Sequence, residues 1–315
     1  MDEYDVVVVG GGAAGLNGAL ALARSRRSVL VIDEGTPRNA PAAHVHNFLT
    51  RDGMPPAQLY ALGRAEVIRY GAEVRTGTVT TISPKAGGFE VATSDGTRVS
   101  ARRLLVTTGL TDELPGVPGL TERFGRDVLH CPYCHGWEVR DQVIGVLATS
   151  VMAIHQALLF SQLSDDVTLY LNDGPEPTEE QWEQLAARGI SVVLGKVEAV
   201  EITDDKLSGV RLEGGRVIPC EALVVQPVAR ARASFLDGLG LKAAELEING
   251  VSMGTAVQAD PAGKTAVPGV WVAGNVTAPT AQVIAAAAAG LTAGAAINFD
   301  LIEEETRLAV AARSS

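Results

Sequence analysis

Cysteine is scarce. The three in 315 residues, Cys131, Cys134 and Cys220, are too few to staple a chain of this length into a disulfide framework. Aromatic residues are few as well, at 4%. Basic residues number 26 against 37 acidic ones, and the formal charge of −11 works against phosphate backbones and anionic membranes. Neither a nucleic-acid nor a membrane partner is expected. Long apolar runs are missing because glycines interrupt them, and the acidic start (Asp2, Glu3, Asp5) is the reverse of a secretory leader. Together these absences predict a cytoplasmic protein. What is present excludes disorder: 46% hydrophobic residues, 20% charged and a mean hydropathy of +0.16. At roughly 150 residues per domain, the length suggests two domains.

The pattern along the chain is that of an α/β protein. A β-branched run at 5–9 predicts a buried strand, 16–24 a helix and 28–32 a second strand, which together form one βαβ unit. A helix is expected over 56–70, with strands at 73–82, 89–93 and 103–107. The Pro/Gly-punctuated stretch 114–119 is expected to be a linker. A second βαβ follows, with strands at 143–147 and 166–171 around a helix at 151–163, and further strands at 189–200, 209–212 and 222–225. The chain is expected to return to the first domain near 245. It then forms a short strand at 270–274 and an Ala-rich helix over 282–299, whose lack of polar residues predicts burial.

Two motifs carry chemistry. Gly10-x-Gly12-x-x-Gly15 sits between a strand and a helix, with Asp33 at the end of the next strand. The first glycine suits a tight turn, the second lets the backbone approach a pyrophosphate, and the third lets the helix pack closely. The helix N-terminus adds unpaired N–H groups, and Asp33 would accept from a ribose hydroxyl. This context predicts a bound dinucleotide without deciding between FAD and NAD. The second motif is the run from His130 to Gly136, with Cys131 and Cys134 three positions apart and His135 beside them. A helix starting near Cys131 would lower a thiolate pKa, and His135 could move the proton that dithiol chemistry releases. A pair of inert thiols, or a metal site completed by His130 or His135, are the alternatives. No metal is expected.

These residues, with the C-terminal segment 268–276, resemble the low-molecular-weight thioredoxin reductases over essentially the whole chain. The resemblance implies two dinucleotide-binding (Rossmann-like) domains, the second inserted in the first. Residues 1–115 and 245–315 would bind FAD, and 116–244 would form a pyridine-nucleotide-type domain carrying the dithiol, in a homodimer. It further implies that Gly10, Gly12, Ala13, Ala14 and Gly15 hold the FAD pyrophosphate and that Asp33 and Glu34 hold the adenosine ribose. Asn47 would lie by the flavin, Val79 would meet the adenine through its backbone, and Thr108 and Gly109 would pack near the cofactor. Gly274 and Asn275 stand in the segment where the family has Gly-Asp-Val, and an amide at 275 can still bond a ribityl hydroxyl. Gln282 and Val283 would face the isoalloxazine, with Arg38 as a weaker contact.

Three departures from the family pattern are expected to matter. The second nucleotide turn, 148–153, has lost its glycines. Asp173 stands where NADPH-using members carry arginines, and Gln226-Pro227-Val228 replaces a Gly-rich stretch. The second domain is therefore expected to bind NADPH poorly or not at all. The Cys-Pro-Tyr-Cys-His-Gly-Trp-Glu run resembles a branch of the fold, the dithiol oxidases that close disulfides in gliotoxin- and holomycin-type natural products. That resemblance implies FAD as cofactor, a small-molecule dithiol as substrate, and O2 as electron acceptor giving hydrogen peroxide. Cys131 would be attacked by substrate, Cys134 would face the flavin, and His135 would act as base. A thioredoxin reductase fed by NADPH or ferredoxin is the competing expectation, and a non-catalytic FAD sensor is a third.

Smaller signals are His44 and His46, candidates for a substrate pocket, and Tyr133 and Trp137, which could shape the pocket or fill core. Cys220 and Trp271 are expected to be structural. The acidic stretch 176–183 should open an exposed helix.

Overall fold

The computed structural model describes residues 2–248 and 251–314. Its first layer system is a seven-stranded sheet. Glu73–Thr76, Val29–Asp33, Glu3–Val9 and Arg98–Val106 run side by side in parallel; Gly88–Thr93 and Val79–Lys85 extend the sheet antiparallel, and Val270–Val272 adds a parallel strand against Arg98–Val106. Glu3–Val9 reads as an unbroken apolar run because both faces are covered: Val7 and Val9 pack in one core layer, Val6 and Val8 in the other. The register sets Val9 beside both Ile32 and Val106, and Val272 beside Val106. Four strand ends therefore converge where Gly10, Asp33, Thr107 and Gly274 leave the sheet. The stretch expected as one strand over 73–82 is two, separated at Gly77, whose N–H donates to the Asp33 carbonyl at 2.9 Å.

The second system is a five-stranded parallel sheet in the order Ser191–Val193, Val167–Tyr170, Ile144–Leu147, Ala222–Val225, Val128–Leu129. It too has a core on each face. Its edge strand Val128–Leu129 aims its C-terminal end at the dithiol segment.

The return of the chain differs from expectation. Val228–Ala231 already pairs antiparallel with Leu110–Glu113, and Ala233, Leu236 and Leu241 belong to the core of the first sheet. The crossing lies near 228 rather than 245, because a four-residue strand with one buried position leaves no readable pattern.

The last helix also departs from expectation. Val283–Arg313 has 31 residues and is, among the described residues, the one helix long and apolar enough in composition to cross a membrane. One face, with Ala286, Gly290, Ala293, Gly294 and Ile297, is buried with helix Ala13–Arg24. Ion pairs fasten its distal half: Arg27 to Glu305 and Arg103 to Asp300, each at 2.6 Å, and Arg102 to Glu304 at 2.8 Å. The expected burial holds for that face only, since Ile284, Leu291, Phe299 and Ile302 are exposed.

Candidate functional site

A single cleft of about 700 Å³ runs from the glycine turn to the two cysteines. Its floor is the turn after Glu3–Val9. Gly10 has φ of +102°, and a Cβ on Gly15 would lie 1.9 Å from the Gly10 carbonyl, so this turn closes only with glycine at both places. The Thr107 hydroxyl clamps it from below, donating to the carbonyls of Val9 (3.0 Å) and Gly10 (2.8 Å). A Cβ on Gly12 would meet nothing within 4 Å, so the turn faces open space. Helix Ala13–Arg24 begins there with no side chain capping it, which leaves its first N–H groups for an anion. The residues present thus fit a dinucleotide pyrophosphate, held by Gly10, Gly12, Ala13 and Ala14.

Most of the expected cofactor residues line this cleft: Asp33, Glu34, Arg38, Val79, Thr108, Gly109, Gly274, Asn275, Gln282 and Val283. Several are tied to partners that sequence order does not reveal. Asp33 accepts from the Gly11 N–H at 2.9 Å and lies 3.4 Å from Arg64. Glu34 pairs with Arg232 and accepts from the Thr36 hydroxyl, and these contacts hold its carboxyl below the usual range. Thr108 donates to the Arg232 carbonyl. Arg38 forms a two-pronged pair with Asp112, both contacts at 2.6 Å, so its role is first to carry a fixed charge beside the dithiol. Asn275 donates through Nδ2 to the carbonyls of Ala278, Pro279 and Ala281. A carboxylate could not donate to them, which explains asparagine here and leaves only Oδ1 for a cofactor hydroxyl.

Asn47, expected by the flavin, is not among the residues lining the cleft; in the left-handed region with φ of +58°, it donates from Nδ2 to the Tyr133 carbonyl and so braces the dithiol loop.

Cys131 caps the short helix Pro132–His135, and both thiols are free and half-buried. They are not equivalent. The Cys131 sulfur lies beside the Cys134 thiol and the first N–H groups of the helix, at Tyr133 and Cys134, and these, with the Arg38 charge, favour its anion. Against burial, these bring its pKa down to about 7. The Cys131 sulfur in turn pushes the Cys134 thiol up, and burial adds to the rise. Of the reduced pair, Cys131 is the one whose surroundings favour the thiolate and Cys134 the one held as thiol.

Burial lowers the pKa of His135, with His46 adding to the effect and Glu138 opposing it, so the imidazole is neutral at pH 7. Both its ring nitrogens are buried without a hydrogen-bond partner. His130, seen in the sequence only as a possible metal ligand, lines the cleft, stacks on Phe124 and is drawn down to about 4 by desolvation and Arg38. Among the described residues, no group of three or more His, Cys, Asp or Glu is placed to hold a metal.

The second nucleotide turn has been rebuilt. Ala148 is 2% exposed, with its methyl in the core of the second sheet. The strand ends at Leu147 and Val225, where a nucleotide crevice would open, are bridged by side chains. Thr149 donates to the Gln226 carbonyl at 3.2 Å, and Gln156 donates to the Gln226 side chain at 3.1 Å and to the His130 carbonyl at 3.2 Å. Asp173 stays at the surface, 3.4 Å from Lys196.

Tyr133 and Trp137 are exposed beside the dithiol rather than filling core, and Arg140 stacks on Trp137 at 4.2 Å. Cys220 and Trp271 are each 1% exposed, and burial pushes the Cys220 thiol up to about 12, which makes it inert packing. The acidic stretch leads into helix Glu179–Ala187, capped by a reciprocal Thr178–Gln181 pair.

Comparison with known proteins agrees with this geometry. The family model "Pyridine nucleotide-disulphide oxidoreductase" matches residues 4–293. Thioredoxin reductase sirT of Leptosphaeria maculans is 30% identical over 95% of this chain and 94% of its own. A probable thioredoxin reductase of Arthroderma benhamiae is 36% identical over 56% of this chain and 46% of its own. Among solved structures, that of HlmI superposes with a TM-score of 0.90 at 44% identity, over 98% of this chain and 96% of that one. The chain is therefore a member of the pyridine nucleotide-disulphide oxidoreductases, a thioredoxin reductase-like enzyme of two Rossmann-type domains whose chemistry is on disulfides and dithiols.

Proposed function

We propose that the protein is an FAD-dependent dithiol oxidase that closes an intramolecular disulfide in a small-molecule natural product of the holomycin or gliotoxin type. The observation that carries this reading is a contrast within one molecule. The dithiol and the glycine turn share an open cleft, whereas the turn for a pyridine nucleotide is glycine-free over 148–153 and bridged by Thr149, Gln156 and Gln226. Relatives named as thioredoxin reductases share the fold. Those three bridging residues favour a different electron source.

In the oxidised enzyme, a substrate thiol gives its proton to His135 and its sulfur bonds to Cys131 as the Cys131–Cys134 bond breaks. The second substrate thiolate then attacks the substrate sulfur of that mixed disulfide. The substrate disulfide forms and Cys131 leaves as the thiolate its surroundings favour. FAD, when bound, would accept the two electrons of the enzyme dithiol and deliver them to O2, so that dithiol plus O2 gives disulfide plus hydrogen peroxide. The exposed Tyr133 and Trp137 offer an apolar rim to the substrate. A second copy of the chain, covering the exposed apolar face of Val283–Arg313, completes the proposed cytoplasmic homodimer.

Oxygen uptake by the flavin-loaded protein tests this reading. With a dithiol in air and no pyridine nucleotide, one O2 should disappear and one hydrogen peroxide appear per disulfide formed. Peroxide-free turnover of a thioredoxin at the expense of NADPH or reduced ferredoxin would instead establish the reductase.

A further inference from the structure

We infer that His46 and Glu138 are positioning residues that carry the proton from His135 to the surface at Asp52, forming a proton exit for the dithiol half-reaction. The inference rests on the oxidase reading and concerns where its protons go.

Two thiol protons leave the substrate in the dithiol half-reaction, and the enzyme keeps one of them on its sulfurs. Cys134 takes it, because its thiol is held protonated, while the surroundings of Cys131 favour its thiolate. The other proton has no sulfur to go to. His135 can hold one proton at a time, so it must be emptied before the next turnover, and its two ring nitrogens are buried with nothing to hand the proton to directly.

The way out lies on the neighbouring turn. Glu138 stands on Trp137–Val139, which follows helix Pro132–His135 after Gly136, and Glu138, His46 and His130 all interact electrostatically with His135. The His46 ring lies between two carboxylates: Nδ1 is 3.4 Å from Asp52, and the buried Nε2, which makes no hydrogen bond, is 3.3 Å from Glu138 and open to a proton from that side. The Asp52 side chain is 65% exposed and opens the chain of groups to water. His44, 5.9 Å from His46 ring to ring, is another titratable neighbour, and His130, with Arg38 and Asp112 around it, acts on His135 from just after strand Val128–Leu129. An imidazole between two carboxylates, one on the turn that follows the base and one exposed to solvent, can take a proton at Nε2 and release one from Nδ1. The surrounding loop keeps the ring in place: Val45 bridges to Met54, and the Asn47 N–H donates to Asp52 at 2.9 Å.

The test is anaerobic stopped-flow reduction of the flavin-loaded enzyme by dithiothreitol, for wild type, His46→Gln, Glu138→Gln and the milder surface variant Asp52→Asn. Wild type should be indifferent to imidazole buffer concentration. His46→Gln and Glu138→Gln should be slowed about tenfold, with a larger solvent isotope effect, and should recover as imidazole is added. Asp52→Asn should show the same behaviour more weakly. Wild-type rates in all three variants, or slowing that imidazole and pH leave unchanged, would overturn the relay. Wild type that NADPH reduces and dithiothreitol does not would overturn the oxidase reading itself, and the relay with it.

Discussion

The two nucleotide folds of this chain start from the same plan and end in different states. In the first, the strand Glu3–Val9 turns on Gly10 into a helix whose uncapped end faces an open cleft. In the second, the strand Ile144–Leu147 turns on Ala148, Thr149 and Ser150, and the space beyond is crossed by Gln156 and Gln226. Both keep complete cores on two faces of a parallel sheet. Packing thus maintains the fold whether or not the turn binds anything, and a few residues at a strand end decide the ligand. The second fold retains a mechanical task, since its edge strand and the Gln156 bond to the His130 carbonyl hold the dithiol over the cleft of the first.

The largest effect expected from breaking this division is at the dithiol. Cys131→Ser should abolish flavin reduction by dithiols while leaving the flavin bound, as read by anaerobic absorbance changes. Next, Gly12→Val would fill the open side of the first turn, so the variant should purify folded by circular dichroism but with its flavin content strongly reduced. His135→Gln should slow dithiol-driven reduction by about 10²-fold. In wild type the rate should rise with pH and level off below the usual histidine value of 6.5, because burial lowers the pKa of this base. A smaller, purely local effect concerns the reduced pair. Alkylation followed by mass spectrometry should modify Cys131 first, with a midpoint near pH 7 above which its thiolate accumulates, while Cys134 resists.

Much of this was legible in the sequence where the signal is local. The turn Gly10 to Gly15, the Cys131–Cys134 pair and the missing glycines at 148–153 are contiguous, and each imposes its geometry within a few residues. What was not legible depends on partners far along the chain. Arg38 meets Asp112 across 74 residues, and Glu34 meets Arg232, with nothing in either segment to announce the other. Asn47 was placed by resemblance at the flavin, yet its left-handed backbone turns it to the Tyr133 carbonyl. The last helix was read as buried, without a face, because composition reports polarity and not which side meets a neighbour.

The difference between the two folds is tested most directly by adding NADPH and a dithiol, separately and without oxygen, to the flavin-loaded protein. The account predicts that the dithiol bleaches the flavin rapidly and that NADPH, at concentrations that saturate a working reductase, leaves it yellow. Rapid bleaching by NADPH would show that the second fold still delivers electrons and would contradict the account.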